Sequence, residues 1–373
     1  MGSGPREAHR PWSAAVQPDA ANRRPRRMKT PVTSAAVPTS PLVLSLLATI
    51  LLPAAAGAQG SEKPVLTVYT YDSFVPDWGP GPKIEAGFEA SCGCDLKFVG
   101  LTDGVAILNR LKLEGANTKA DIALGMTAEL VPEMKASGVF APSGVDVSKL
   151  AVPGGFSDDT FVPFDYSYLA FVYDTETVKT PPTSLDALVN GDPEEKIVIE
   201  DPRSSTPGLG FLLWMKAVYG EEADEKWKRL SKRILTVTPG WSEAYGLFTS
   251  GEAPIVLSYT TSPAYHIIEE KTERYQAAAF SEGHYLQLEL AGRLATSKHP
   301  DLAGRFLAYL VSPEVQAILP TTNWALPVTA PATPLPDAFA RLVQPAKPLV
   351  IPAEEVAKNR KAWTAEWQAA LGR

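Results

Sequence analysis

The stretch PGWSEAYGLFTSGEAPIVLSYTTSPAYH, Pro239 to His266, reads as helix, tight turn, buried strand and helix again. Pro254 to Tyr259 is a short apolar run of strand type, and Thr260-Thr261-Ser262-Pro263 then supplies cap residues with a proline suited to the first turn of a helix. Tyr259 to Ser262 are therefore expected at the carboxyl end of a strand, beside a helix amino end. In open α/β sheets ligands bind there, because free backbone N–H groups and loop side chains converge. Trp241 and Tyr265 add aromatic surface beside it.

The same rhythm runs outward from this stretch. Pro64 to Tyr71 (PVLTVYTY) is apolar or aromatic on both alternating faces, as in a parallel strand covered on both sides. Asp72-Ser73-Phe74 breaks out of it, and Trp78-Gly79-Pro80-Gly81-Pro82 is a rigid turn before a helix predicted to end near Ala90. Leu96 to Leu101 is the next strand, stopped by Thr102-Asp103-Gly104 and followed by a helix with Val105, Leu108 and Leu111 on one face. Ala120 to Met126, Lys196 to Glu200 and Ile234 to Thr238 are further strands. Asp201 to Gly208 reads as a loop and Leu209 to Tyr219 as a helix. Strands alternating with helices over short connections predict parallel sheets flanked by helices.

Two segments break the rhythm. Thr160 to Asp174 (TFVPFDYSYLAFVYD) and Glu282 to Thr296 (EGHYLQLELAGRLAT) are long and extended, which suits crossings between two lobes. The length after processing exceeds what one core usually holds, so two lobes are expected. The predicted fold is a two-lobe α/β clamshell joined by extended crossing strands. Lobe 1 takes residues 59–165 plus roughly 287–322, lobe 2 takes 166–286, and 323–373 form a C-terminal segment ending in an amphipathic helix with Val356, Trp363, Trp367 and Leu371.

Residues 1–58 read as an extension and an export signal. Arg23, Arg24, Arg26, Arg27 and Lys29 form a basic region, Leu42 to Leu52 is apolar, and Ala56-Gly57-Ala58 has the form of a signal-peptidase site. Cleavage after Ala58 leaves 315 of the 373 residues and places the protein in the periplasm. The removed part carries seven basic and two acidic residues, so the formal charge falls from −7 to −12. That acidity argues against nucleic acid as a partner and favours a cationic ligand. Cys92 and Cys94 are the only cysteines. A disulfide and a pair of thiols both remain open for them.

Five segments share one form, a buried strand ending in small polar or aromatic residues directly before a helix. They are Tyr71-Asp72-Ser73, Asp103-Gly104, Ser204 to Gly208, Gly240-Trp241-Ser242 and Tyr259 to Ser262. At any one of them a Ser or Thr reads as a helix cap. Together, on two lobes, they read as the wall of a cleft. Asp103 is either a cap or a carboxylate facing a ligand cation, and Gly104 either relaxes the turn or admits a ligand to backbone N–H groups. Tyr71, Trp241, Tyr265 and Trp324 divide between core and ligand stacking. His266, His284 and His299 are not at metal-ligand spacing, and neither a nucleophile elbow nor a phosphate loop occurs.

The chain closely resembles the periplasmic thiamine-binding proteins of bacterial ABC importers. The resemblance runs through KPVLTVYTYDSF (63–74), DWGPGP (77–82), DTFVPFDY (159–166), STPGLG (205–210), GWSEAYGLF (240–248), LSYTTSPAYH (257–266) and FSEGHYLQ (280–287). It implies the type II periplasmic-binding-protein clamshell, with thiamine, thiamine monophosphate and thiamine diphosphate as transported ligands rather than cofactors, and a membrane permease as partner. By resemblance the ligand contacts fall on Asp103, Gly104, Ser205, Thr206, Trp241, Tyr259, Thr260, Thr261 and Ser262, with Tyr71, Tyr265 and Trp324 as the aromatic enclosure. The rival reading, a thiaminase-like enzyme of the same fold, needs a cysteine nucleophile in the cleft, whereas both cysteines precede a strand. A ferric-ion receptor of similar fold needs oxygen or imidazole ligands gathered there.

Overall fold

The computed structural model describes residues 63–345 and 347–372. The basic region, the apolar run and the cleavage point expected before residue 59 lie outside these residues.

The chain opens with β1 (Val65–Tyr71), whose five C-terminal positions are all half-buried or buried because both sheet faces are covered. α1 (Gly81–Cys92) runs two residues beyond the expected end and stops at Gly93, which takes the left-handed conformation open to glycine. Cys92 thus ends a helix rather than opening a strand, and it is joined to Cys94 by a disulfide. β2 (Asp95–Leu101), α2 (Gly104–Glu114), β3 (Ile122–Thr127), α3 (Val131–Ala136) and the short β4 (Phe140–Ala141) follow.

β5 (Phe161–Asp174) is the first long crossing. After it come α4 (Leu185–Val189), β6 (Ile197–Glu200) and α5 (Thr206–Tyr219). α5 starts three residues before the expected Leu209. Ser205 is its N-cap, its Oγ accepting from the Gly208 N–H at 3.3 Å, and Pro207 fits the first turn where no N–H is needed. Then follow α6 (Ala223–Leu230), β7 (Ile234–Thr238), α7 (Trp241–Thr249) and β8 (Ile255–Tyr259). α8 (Pro263–Tyr265) is a single turn that widens into a π turn over His266–Glu270. Ser262 does not cap it. The chain closes with β9 (Tyr275–Ala277), β10 (His284–Leu294), α9 (Pro300–Leu310), α10 (Pro313–Ile318), β11 (Leu326–Pro327), β12 (Pro348–Leu349) and α11 (Ala353–Ala370).

The strand order is β2-β1-β3-β10-β5-β8-β6-β7. β2, β1 and β3 are mutually parallel, as are β8, β6 and β7. Between these groups β5 and β10 run antiparallel to each other. β5 pairs with β10 up to Tyr168 and with β8 from Leu169 onward, so one strand serves both groups. α11 reaches elements of both, through Arg360 Nη1 to Glu133 Oε2 of α3 (2.5 Å), Lys216 Nζ of α5 to Glu366 (2.6 Å) and the Trp367 ring edge-on to Trp227 of α6.

Two bulges flank β10 at one level. Leu290 pairs with Pro163 and Glu289 with Asp165, leaving Phe164 of β5 unpaired. Proline cannot donate to the ladder, and a bulge is where a sheet accommodates it. The freed Phe164 carbonyl accepts from buried Gln316 Nε2 at 2.8 Å. On the other side Leu290 pairs with Met126 and Ala291 with Leu124, leaving Gly125 of β3 unpaired at φ 100°. Glycine is required there twice over, because a Cβ would also overlap the ring of Tyr71.

Gly125→Ala therefore imposes both backbone strain and a clash. It is expected to lower the melting temperature of the ligand-free protein by about 3 °C, roughly 2 kcal/mol for a chain of this size. A melt superimposable on the parent's would mean that the Tyr71 ring yields freely.

Candidate functional site

The carboxyl ends of β1, β2 and β8, the starts of α5 and α7, and the middle of the β5–β10 crossing face a cavity of about 830 Å³ including its open mouth. Tyr71, Asp103, Thr206, Trp241, Tyr259, Ser262, Tyr265 and Trp324, all expected from the sequence, line it. Gly104, Ser205, Thr260 and Thr261 do not. Gly104 is buried in the first turn of α2, where a Cβ would overlap the Gly125 carbonyl oxygen. Ser205 caps α5, and its side chain also hydrogen-bonds the Asp103 carboxyl. Thr260 donates its N–H to the Tyr168 carbonyl at 2.9 Å, and with Thr261 it faces a separate, smaller space beside Phe339 and Leu342.

Asp103 fastens three helices at once. Its Oδ1 accepts from the N–H of Gly104 (2.6 Å) and from the N–H and hydroxyl of Thr206 (3.1 and 2.9 Å), and its Oδ2 accepts from the N–H of Trp241 (3.2 Å). These donors belong to the first turns of α2, α5 and α7, whose unpaired N–H groups attract negative charge. Burial raises the Asp103 carboxyl, while hydrogen bonds from Thr206, Gly104 and Ser205 pull it back. The cap reading of Asp103 is thus met by geometry, and it caps across three elements rather than one.

Asp72 follows β1 and accepts from the Ser242 hydroxyl of α7 at 2.7 Å; burial pushes its carboxyl up to about 6. Behind the wall, Glu200 at the end of β6 is 1% exposed, and burial holds its carboxyl well above the ordinary range.

The aromatic side chains are held at fixed angles. The Trp241 indole stacks on Tyr245, with centroids 4.8 Å apart and planes 24° apart, and donates from Nε1 to Ser258 Oγ at 2.8 Å. Ser258 Oγ in turn lies 2.8 Å from Ser262 Oγ. Tyr245 is anchored by its hydroxyl 2.8 Å from His266 Nε2, whose Nδ1 lies 2.7 Å from Glu270. Opposite, Tyr265 and Trp324 meet edge to face at 5.4 Å and 81°. Trp324 sits at φ 55°, a conformation that costs a non-glycine residue about 1 kcal/mol or more and that clusters at ligand sites.

The floor is polar, and sequence reasoning missed it. Asp165 and Ser167 on β5, and Gln287 and Glu289 on β10, line the cavity from strand interiors. Tyr71 O–H lies 2.9 Å from Glu289 Oε2 and 3.0 Å from Asn323 Oδ1, Asn323 Nδ2 donates to Asp165 Oδ2 at 2.6 Å, and Gln287 Nε2 donates to the Tyr259 hydroxyl at 2.9 Å. The signal was present as polar residues two apart on one face of each otherwise apolar strand. Four carboxylates, Asp72, Asp103, Asp165 and Glu289, thus line the cavity, and among its described lining residues there is no Lys, Arg or His. Among the described residues no group of three or more His, Cys, Asp or Glu is placed to hold a metal ion. The chemistry on offer is aromatic faces, carboxylates and hydroxyls, which suits a flat cation.

Comparison with known proteins agrees with this architecture. A protein of Brucella abortus biovar 1 named thiamine-binding periplasmic protein is 58% identical over 332 residues, 89% of this chain and 98% of that one. The protein of the same name from Escherichia coli is 56% identical over 311 residues, 83% and 94% of the two chains. A solved structure titled periplasmic thiamin binding protein superposes with a TM-score of 0.81 at 56% identity, covering 83% of this chain and 97% of that one. A ferric binding protein from Campylobacter jejuni superposes at 0.67 with 19% identity over 82% and 99% of the chains, a likeness of fold alone. The family described as bacterial extracellular solute-binding protein matches residues 117–359. On these grounds the chain belongs to the bacterial extracellular solute-binding protein family and has its type II periplasmic-binding-protein fold.

Proposed function

We propose that the cavity binds thiamine in the periplasm and that the closed, loaded protein delivers it to the permease of an ABC importer. The observation that carries this reading is the lining itself, with Tyr71, Trp241, Tyr265 and Trp324 around a pocket of carboxylates that has no basic side chain among its described lining residues. Thiamine has a permanently cationic thiazolium and a flat aminopyrimidine, so both rings accept aromatic faces. Cation–aromatic contact is worth about 0.5–1 kcal/mol when exposed and about 2 when water is excluded. The names of the relatives at 56–58% identity support the same ligand.

The hydroxyethyl end, or the phosphate of the mono- and diphosphate esters, meets Thr206 and the helix starts around Asp103. With lobe 1 as 59–165 plus roughly 287–322 and lobe 2 as 166–286, β5 and β10 are the hinge and the cavity is the cleft. A ligand touching both lobes stabilises the closed form by its differential affinity, and that form is what the permease reads. Export by a signal cleaved after Ala58 supplies the compartment.

The protein is a receptor and not an enzyme in this reading. A thiaminase-like mechanism requires a thiolate in the cleft, whereas Cys92 and Cys94 are bonded to each other and neither lines the cavity.

Titration calorimetry of the mature protein with thiamine is expected to show one saturable site, with thiamine recovered unchanged. Absence of binding would remove the reading, and turnover with an added amine or thiol would favour the enzyme. Trp241→Ala should weaken thiamine at least tenfold, about 1.4 kcal/mol. It should also lower the ligand-free melting temperature, because the stack on Tyr245 and the bond to Ser258 are lost. Trp241→Phe keeps a ring on Tyr245 and is expected to recover most of the affinity; equal binding by parent and the alanine variant would leave Trp241 a purely structural residue.

A further inference from the structure

Where β5 and β10 cross beneath the cavity, two carboxyl groups stand opposite each other, and among the described residues that line the cavity there is no Lys, Arg or His to answer them. Asp165 and Glu289 are register partners, 1% and 8% exposed. The donors around them can be counted. Asn323 Nδ2 serves Asp165 Oδ2, Tyr71 O–H serves Glu289 Oε2, and Gln287 Nε2 approaches Glu289 Oε1 at 3.4 Å. Asp165 Oδ1 is left without a donor. So is the side-chain oxygen of Gln287, a residue 2% exposed that lines the same cavity. The floor therefore lacks donors and positive charge at one spot. Two like charges this close and this buried do not both ionise without compensation.

We propose that the Asp165–Glu289 pair is the charge-reading element of the cavity: in the empty protein it carries one shared proton, and a cationic ligand takes the place of that proton. When the ligand enters, the carboxyl O–H bond breaks, the proton leaves to the buffer, and the two carboxylates face the ligand's positive charge while Gln287 Oε1 accepts from a ligand N–H. A ligand without a cationic group at that end cannot displace the proton and meets a floor short of donors.

The other groups facing the pair do not supply the missing charge. β1 contributes Tyr71, β8 contributes Tyr259, and the 322–325 segment contributes Thr322 and Asn323. β3 presents Thr127 opposite Glu289, its hydroxyl turned to Glu129 at 2.7 Å. Asp103 adds further negative charge. Burial raises Asp165 to about 7, and burial followed by the charge of Asp165 raises Glu289 well above the ordinary glutamate range.

The inference rests on the ligand being a cation, as in the proposed function, and its test separates the two. Thiamine is titrated into the mature protein at pH 7.5 in phosphate and in Tris, whose ionisation enthalpies differ. At that pH Asp72, at about 6, is already ionised. The parent is expected to release about half a proton or more per thiamine bound, and its affinity to rise by up to about tenfold per pH unit between pH 7 and 8. Glu289→Gln retains an oxygen for Tyr71 and removes one of the pair's two titrating groups; Asp165, at about 7, is then mostly ionised at pH 7.5, so proton release should fall well below the parent's and the slope should flatten toward pH 8. Asp165→Asn is the second variant should the first fold poorly. Thiamine binding without proton release, or with release unchanged in both variants, overturns the inference. If thiamine does not bind at all, the proposed ligand falls and the pair is read without one. Carbon-13 carboxyl shifts of the ligand-free protein should then show one proton held by Asp165 and Glu289 at pH 7.5, and two ionised carboxylates would overturn the inference independently.

Discussion

The crossing of β5 and β10 is the constraint on which the site depends. β10 joins the first group of parallel strands through β3, β5 joins the second through β8, and an antiparallel pair in the middle of a mixed sheet has both faces covered. The bulges at Phe164 and Gly125 act at that point, re-aiming side chains on either side of β10 as bulges near ligand sites do. One consequence is the Asp165–Glu289 opposition. Another is that Tyr71, whose ring atoms Cδ1 and Cε1 occupy the place a side chain at Gly125 would take, brings its hydroxyl to Glu289.

Above this floor the wall is made by helix starts, and Asp103 is what unites them. A carboxylate that accepts from α2, α5 and α7 together holds the ends of β2, β6 and β7 at a common level. Replacing it by a residue with one acceptor would leave buried N–H groups unpaired, each worth about 1–3 kcal/mol. Its role is to build the cavity, which is why its oxygens point at backbone as much as at open space.

Much of this was legible from residue order. β1, β2, β6, β7 and β8 each end in Asp, Ser, Thr or Gly before a helix, and that local chemistry marks a strand end without tertiary knowledge. The start of α5 was misread because Pro207 and Gly208 look like loop residues, although proline and a Ser N-cap are also what a helix start requires. The aromatic wall was legible because Tyr71, Trp241, Tyr259 and Tyr265 fall at those strand ends. The floor was not, since Asp165 and Glu289 lie inside strands and their meeting is set by a register that two bulges shift. Gly104, Ser205, Thr260 and Thr261 share their neighbours' sequence position but not their exposure to the cavity: Gly104 and Ser205 are taken up by the starts of α2 and α5, and Thr260 and Thr261 face the smaller space beside Phe339 and Leu342.

The cavity is therefore polarised along its length. At the floor the carboxyl pair meets no positive side chain among the described lining residues. At the wall three helices of 11, 14 and 9 residues present their amino ends, each equivalent to about half a positive charge, and Asp103 cancels about one unit of that sum. About half a positive charge remains while Asp72, held by Ser242 in the first turn of α7 and raised to about 6, is protonated; above that pH its carboxylate offsets the remainder, so the wall tolerates a hydroxyl or an ester phosphate without demanding either. A ligand with a fixed cation near one end and a hydroxyl or phosphate at the other matches that gradient in one orientation only. Reversing it would set the cation against helix dipoles and the phosphate against Asp165 and Glu289, and in a water-poor cleft both contacts are unfavourable. Orientation is thus selected by charge before any hydrogen bond is made, and the aromatic rings, indifferent to direction, are left to supply affinity.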